Sequence, residues 1–115
     1  MSKIQALLGA VLVAASMTPA CGGYLAPTDQ LVAAEAATRS AREVGAESTP
    51  QAALHLKLAK EALDQAKQLI NDKNENANYV LIRAKADAEL AIALAKEADA
   101  QAKAKKTADQ LAGQN

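Results

Sequence analysis

Residues 81–102 read LIRAKADAELAIALAKEADAQA, and alanine recurs within them at 84, 88, 91, 95, 98 and 102. Steps alternating between four and three residues return to one side of an α-helix and trace a seam on which another helix rests. A seam of methyl groups lets two backbones approach closely. Each contact contributes little, because free energy of burial scales with the apolar area removed from water. Leu81, Leu90, Ile92 and Leu94 widen the stripe, while Lys105 takes the next heptad position with Lys106 beside it. The pattern predicts a helix over 77–111, held by burial up to about Lys103 and by alanine's helix propensity beyond it.

The preceding segment supplies a partner. Leu56, Ala59, Ala62, Leu63, Ala66, Leu69 and Ile70 share one helical face, with Leu58 at its edge and Lys57, Lys60, Glu61, Asp64 and Gln68 opposite. Ser48-Thr49-Pro50-Gln51 marks the start: cap hydroxyls, a proline suited to the first turn, and Gln51 in reach of Ser48 as a capping box. Residues 71–76, NDKNEN, end it with asparagines able to cap one helix and turn into the next. A helix over 50–71 joined to 77–111 by so short a link makes an antiparallel pair, with Leu63 expected in the core facing the last helix.

A further helix is expected over 29–44, capped by Thr28 or Asp29 and closed by Gly45 in the left-handed conformation. Its apolar stripe reads as Ala33, Ala37, Ser40, Ala41 and Val44, with Glu35, Arg39, Arg42 and Glu43 opposite. The expected fold class is all-α: an antiparallel helical hairpin or a small three-helix up-down-up bundle, with alanine-rich, coiled-coil-like packing.

Composition sets limits on function. Thirteen basic side chains balance thirteen acidic ones across 115 residues. Such balance argues against nucleic acid as a partner, which requires a basic patch to neutralise phosphates. Tyr24 and Tyr79 are the only aromatic residues, so the core is thin.

Few residues carry chemistry. His55 is the single histidine and falls within the apolar arc of the 50–71 helix. A metal site needs several convergent ligands and a general base needs a nucleophile to serve; neither accompanies it. A boundary histidine tucked against the end of the bundle is the simpler expectation. Asp87, Glu89, Glu97 and Asp99 alternate with Lys85, Lys96 and Lys103, as on a solvated helix face. Lys103, Lys105 and Lys106 form a small basic cluster, diluted by Asp99 and Asp109. No phosphate loop, cysteine pair or Ser-His-Asp grouping is present, so no catalytic residue, metal or cofactor is expected and the chain does not read as an enzyme.

The first residues address location. Met1-Ser2-Lys3 gives a positive start, residues 4–15 an apolar run, and residues 16–20 a small-residue exit, the layout of a secretory signal. The apolar run is shorter than the 20 or so residues of a membrane span. Cys21, the only cysteine, follows directly, with Gly22-Gly23 after it. Two readings stay open: a lipid-attachment cysteine of a bacterial lipoprotein, favoured by its lone position and the glycines, or an exported protein cut after Ala20 with an unpaired thiol. Thr18 stands where lipoprotein leaders usually have leucine. The first reading divides the chain into a removed signal peptide 1–20, a lipidated tether 21–28 and an alanine-rich helical domain 29–112.

The order of features is similar to a known family. Arg42-Glu43-Val44-Gly45-Ala46 with Pro50 soon after, the Leu56-Lys57-Leu58-Ala59-Lys60-Glu61-Ala62 run, the Asn-rich turn, and Arg83-Ala84-Lys85-Ala86-Asp87-Ala88-Glu89-Leu90-Ala91 resemble the short bacterial lipoproteins grouped as domain of unknown function 4398. The resemblance implies an envelope lipoprotein with a helical hairpin and no assigned activity. Gly22 rather than aspartate after the cysteine implies, by analogy with other lipoproteins, an outer-membrane anchor facing the periplasm. A weaker likeness is to the murein lipoproteins, whose alanine-rich helices trimerise and whose terminal lysine joins the cell wall; this chain departs from them in its internal turns and its Gly113-Gln114-Asn115 end.

The resulting expectation is a non-enzymatic, lipid-anchored helical protein with a structural or protein-interaction role in the bacterial envelope, its envelope protein partner unidentified. The alternatives are a module that binds lipid or peptidoglycan fragments, and a self-associating spacer whose last helix pairs between chains as a homo-oligomer.

Overall fold

The structure, a computed structural model, describes residues 22–114. The expected signal peptide 1–20 and Cys21 lie outside the described residues. Three helices, α1 (Thr28–Glu43), α2 (Pro50–Asn71) and α3 (Ala77–Ala112), are linked by a 3₁₀ turn at Ala46–Ser48 and a short turn after Asn71. Two core clusters fix their directions. Ala34, Ala62, Leu63, Ala66, Leu81 and Ala84 form one, with Leu31, Ile70 and Val80 against it. Ala41, Ala46, Ala52, Leu56, Ala91 and Ala95 form the other, flanked by Ile92 and Leu94. Along α3 from Leu81 to Ala95, the neighbouring α1 positions therefore ascend and the α2 positions descend. This is the up-down-up bundle, and Leu63 is in its core.

The α3 seam buries Ala84, Ala88, Ala91 and Ala95, whereas Ala98 is half-buried and Ala102 exposed. Burial thus ends earlier than the expected Lys103. The partners run out before the alanine repeat does: α2 begins at Pro50 and α1 ends at Glu43, so that among the described residues no helix covers α3 further on. Residues 99–114 are exposed throughout, and the helical part of them extends roughly 20 Å at 1.5 Å per residue.

The buried face of α1 is rotated by one residue from the expected stripe. Ala34, Thr38 and Ala41 are buried, Leu31 is half-buried, and Ser40 and Val44 face solvent. This face brings Leu31 into the core together with two alanines small enough for close approach. Thr38 is polar only in composition, since its hydroxyl donates to the Ala34 carbonyl at 2.8 Å and so enters the core with its hydrogen bond satisfied. With that rotation, Glu35, Arg39 and Arg42 flank α2 instead of lying opposite the core.

Helix ends also differ from expectation. No helix has a side-chain cap hydrogen bond at its N-cap residue, which is Pro27, Thr49 and Asn76 in turn. Thr28 belongs to the first turn of α1, and Ser48 is taken up by the 3₁₀ turn, so the Ser48–Gln51 capping box does not form. Thr49 is extended (φ −116°, ψ 121°), as the ring of a following proline requires. Gly45 does take the left-handed conformation, with φ 81°.

At the other turn the left-handed residue is Lys73, with φ 54°, and not an asparagine. The Lys73 amide donates to Ile70 O (3.0 Å) and the Asn74 amide to Leu69 O (2.8 Å), the two bonds of a Schellman motif. Asn74 then serves the next helix, its Oδ1 accepting from the Asn76 amide at 2.9 Å. A left-handed non-glycine residue is strained by roughly 1–2 kcal/mol, while glycine increases unfolded-chain entropy by up to about 1 kcal/mol. Lys73→Gly is therefore expected to stabilise the fold by about 0.5 kcal/mol, raising the urea midpoint at unchanged slope, and Lys73→Val to lower it. A midpoint lowered by glycine would contradict the left-handed turn.

Candidate functional site

His55 lies in the second turn of α2 and faces α3. Its Nδ1 is 3.1 Å from Oδ1 of Asp87, with the two side chains 27% and 17% exposed. Arg83, one turn before Asp87, approaches the other carboxylate oxygen with its Nε at 4.0 Å. Asp87 is thus not part of a solvated face: it is drawn into the α2–α3 boundary, where the imidazole N–H donates to it whenever Nδ1 carries the proton. Sequence spacing did not reveal this pair, since 32 residues separate its members and only the antiparallel register brings them together. Chemically it is a clasp between helices. Among the described residues there is no group of three or more His, Cys, Asp or Glu side chains placed to hold a metal ion.

The tether lies against the turn between α2 and α3. Gly22, Gly23, Tyr24, Leu25 and Pro27 surround an open recess of about 400 Å³ with Glu75 and Asn78. The Tyr24 hydroxyl is buried without a hydrogen-bond partner among the described residues.

A second recess opens between α1 and α2, with a volume of about 300 Å³, lined by Glu35, Thr38, Arg39, Arg42, Leu63 and Lys67. Lys67 Nζ bridges to Glu35 Oε1 at 3.0 Å across it. A further cross-link, Lys60 to Glu47 at 3.3 Å, ties α2 to the 3₁₀ turn. These pairs are exposed enough that each contributes at most about 1 kcal/mol.

On the projecting part of α3 the basic cluster is largely paired within the helix. Lys103 meets Asp99 at 2.7 Å and Lys105 meets Asp109 at 3.1 Å. Hydrogen bonding to the Asp99 carboxylate, and then its charge, raise the Lys103 pKa above the ordinary lysine value. Because the folded value is the raised one, this pairing contributes below the unfolded lysine pKa and is lost as pH rises through the folded one. It is intact at neutral pH.

Bundle, clasp and exposed α3 extension define a small all-helical protein packed through alanine. Residues 29–107 match the family model described as Domain of unknown function (DUF4398). The chain belongs to that family. No curated protein and no solved structure matches it.

Proposed function

We infer that this chain is a non-enzymatic helical protein of the bacterial cell envelope, lipid-anchored through Cys21 to the outer membrane, facing the periplasm, with a structural or protein-interaction role. The observation that carries the interaction role is the extension of α3, which is exposed from Asp99 onward. A helical segment this short is marginal in water by itself, and one joined to a packed bundle presents its sides to a partner at low ordering entropy. The anchoring reading rests on the leader pattern and on Cys21. Among the described residues, no helix is long and apolar enough to cross a membrane. Cys21→Ser is expected to move the protein from the membrane fraction to the soluble fraction, because acyl chains supply the anchoring free energy. A wild-type chain that takes up no labelled palmitate would overturn the anchor.

A second reading, a spacer that self-associates through α3, is favoured by Ala100, Ala104, Ala108 and Leu111, which share one side of the exposed extension. Sedimentation equilibrium of the Cys21→Ser chain separates the two: mass rising with concentration supports self-association, and a constant monomer mass leaves the interaction role to another protein.

A further inference from the structure

The groove between α1 and α2 carries a local excess of positive charge. α1 rests mainly on α3, so its boundary with α2 stays open over Thr38 and the edge of Leu63. Three cationic side chains reach the rim, Arg39 and Arg42 from α1 and Lys67 from α2, against one carboxylate, Glu35, already bridged to Lys67. No ion pair engages Arg39 or Arg42 among the described residues. Glu43 follows Arg39 by one turn and still does not pair with it. Lys73, Lys96 and Lys106 are likewise without an ion pair among the described residues, but each stands alone, whereas Arg39 and Arg42 lie one turn apart on one groove wall.

We propose that this groove binds a phosphate monoester group. Guanidinium groups offer planar, forked donors suited to phosphate oxygens, and two of them one turn apart on one wall, with an ammonium on the other, approach from different directions. A tetrahedral oxyanion presents acceptor oxygens in several directions and can meet donors from both walls, whereas the lone pairs of a carboxylate lie in one plane. The excess charge of the rim also matches a phosphate monoester, which carries close to two negative charges near neutral pH. The volume is at the lower end of ligand-sized pockets, enough for the phosphate and the group next to it. Arg39 lies about 16 Å along α1 from Thr28 at 1.5 Å per residue, on the flank of the bundle and away from the tether. That position favours a soluble phosphate ester over a headgroup of the membrane to which the tether leads.

The test uses the full chain, with inorganic phosphate as probe, followed by NMR of the arginine Nε–H signals. Saturable shifts of Arg39 and Arg42 are expected, with affinity at least about tenfold lower in the Arg39→Gln, Arg42→Gln double variant, in line with losing two charge-assisted hydrogen bonds. Both arginines are exposed, so the variant should keep the wild-type circular dichroism. Lys96→Gln with Lys106→Gln removes the same charge from unpaired positions on α3 and should leave binding unchanged. A parallel arm uses phosphatidylcholine vesicles with and without phosphatidic acid. Binding confined to the phosphatidic acid vesicles, and lost in the arginine variant, supports the site with a lipid as the source of the phosphate. No saturable binding in either arm, or equal loss in both double variants, would overturn the proposal.

Discussion

Leu81→Ala is expected to lower the unfolding free energy by about 3 kcal/mol, within the 2–5 kcal/mol range of buried leucine truncations. Leu81 and Leu56 are the largest fully buried side chains of the described residues, and everything else at full burial in the two clusters is alanine. Deleting the isobutyl group at Leu81 removes its transfer free energy and leaves a cavity among Leu63, Ala62, Ala66 and Ala34. Methyl groups on rigid helices have little reach with which to fill it. A domain of this size has a total stability of about 5–10 kcal/mol, so a third or more would be lost. At roughly 4–8 °C per kcal/mol the melting temperature should fall by about 15 °C. Leu111→Ala, at a position 62% exposed, is the control and should melt like the wild type. Equal melting of the two variants would mean that the end of the bundle around Leu81 is not a packed core.

The distribution of large and small side chains explains what could be read from the sequence. The α3 seam was legible because alanine at alternating steps of three and four has no other regular structure to serve. The face of α2 was legible because its leucines and charges segregate. The face of α1 was not. It has few large apolar residues, Leu31 stands in the first turn where periodicity has barely begun, and Thr38 looks polar until its hydroxyl is seen bonded to Ala34. That error hid the Arg39–Arg42 groove, since the rotation of α1 decides whether those arginines face α2 or open water. His55 was read correctly as a boundary residue, but Asp87 was not read as its partner: a helix-surface pattern of alternating charges says nothing about which carboxylate an opposing helix will meet. Cap assignments failed where one residue has two uses, as at Ser48, which the 3₁₀ turn claims first. The left-handed Lys73 had no signal, because geometry imposed from both helices selected the position and the side chain simply tolerates it.

Ala88→Leu probes the opposite property of this core, its dependence on small size. Ala88 is fully buried and lies on the α3 seam between Ala84 of one cluster and Ala91 of the other. Leucine there would add three carbon atoms where the helices meet through methyl groups. Overpacking costs about 1–3 kcal/mol when neighbours can shift to new rotamers, but alanine has no rotamer to shift, so whole helices must move apart. Separation at Ala88 would loosen Ala84 and Ala91 with it, and the expected loss is therefore at the upper end, about 3 kcal/mol. Ala93→Leu makes the same chemical change on the exposed side of α3. Alanine and leucine differ little in helix propensity, so the exposed variant should remain within about 0.5 kcal/mol of wild type. The difference between the two denaturation curves then isolates packing from intrinsic helicity. A wild-type curve for Ala88→Leu would show that the helices stand farther apart than an alanine seam implies, and with it the close-packed bundle would have to be abandoned.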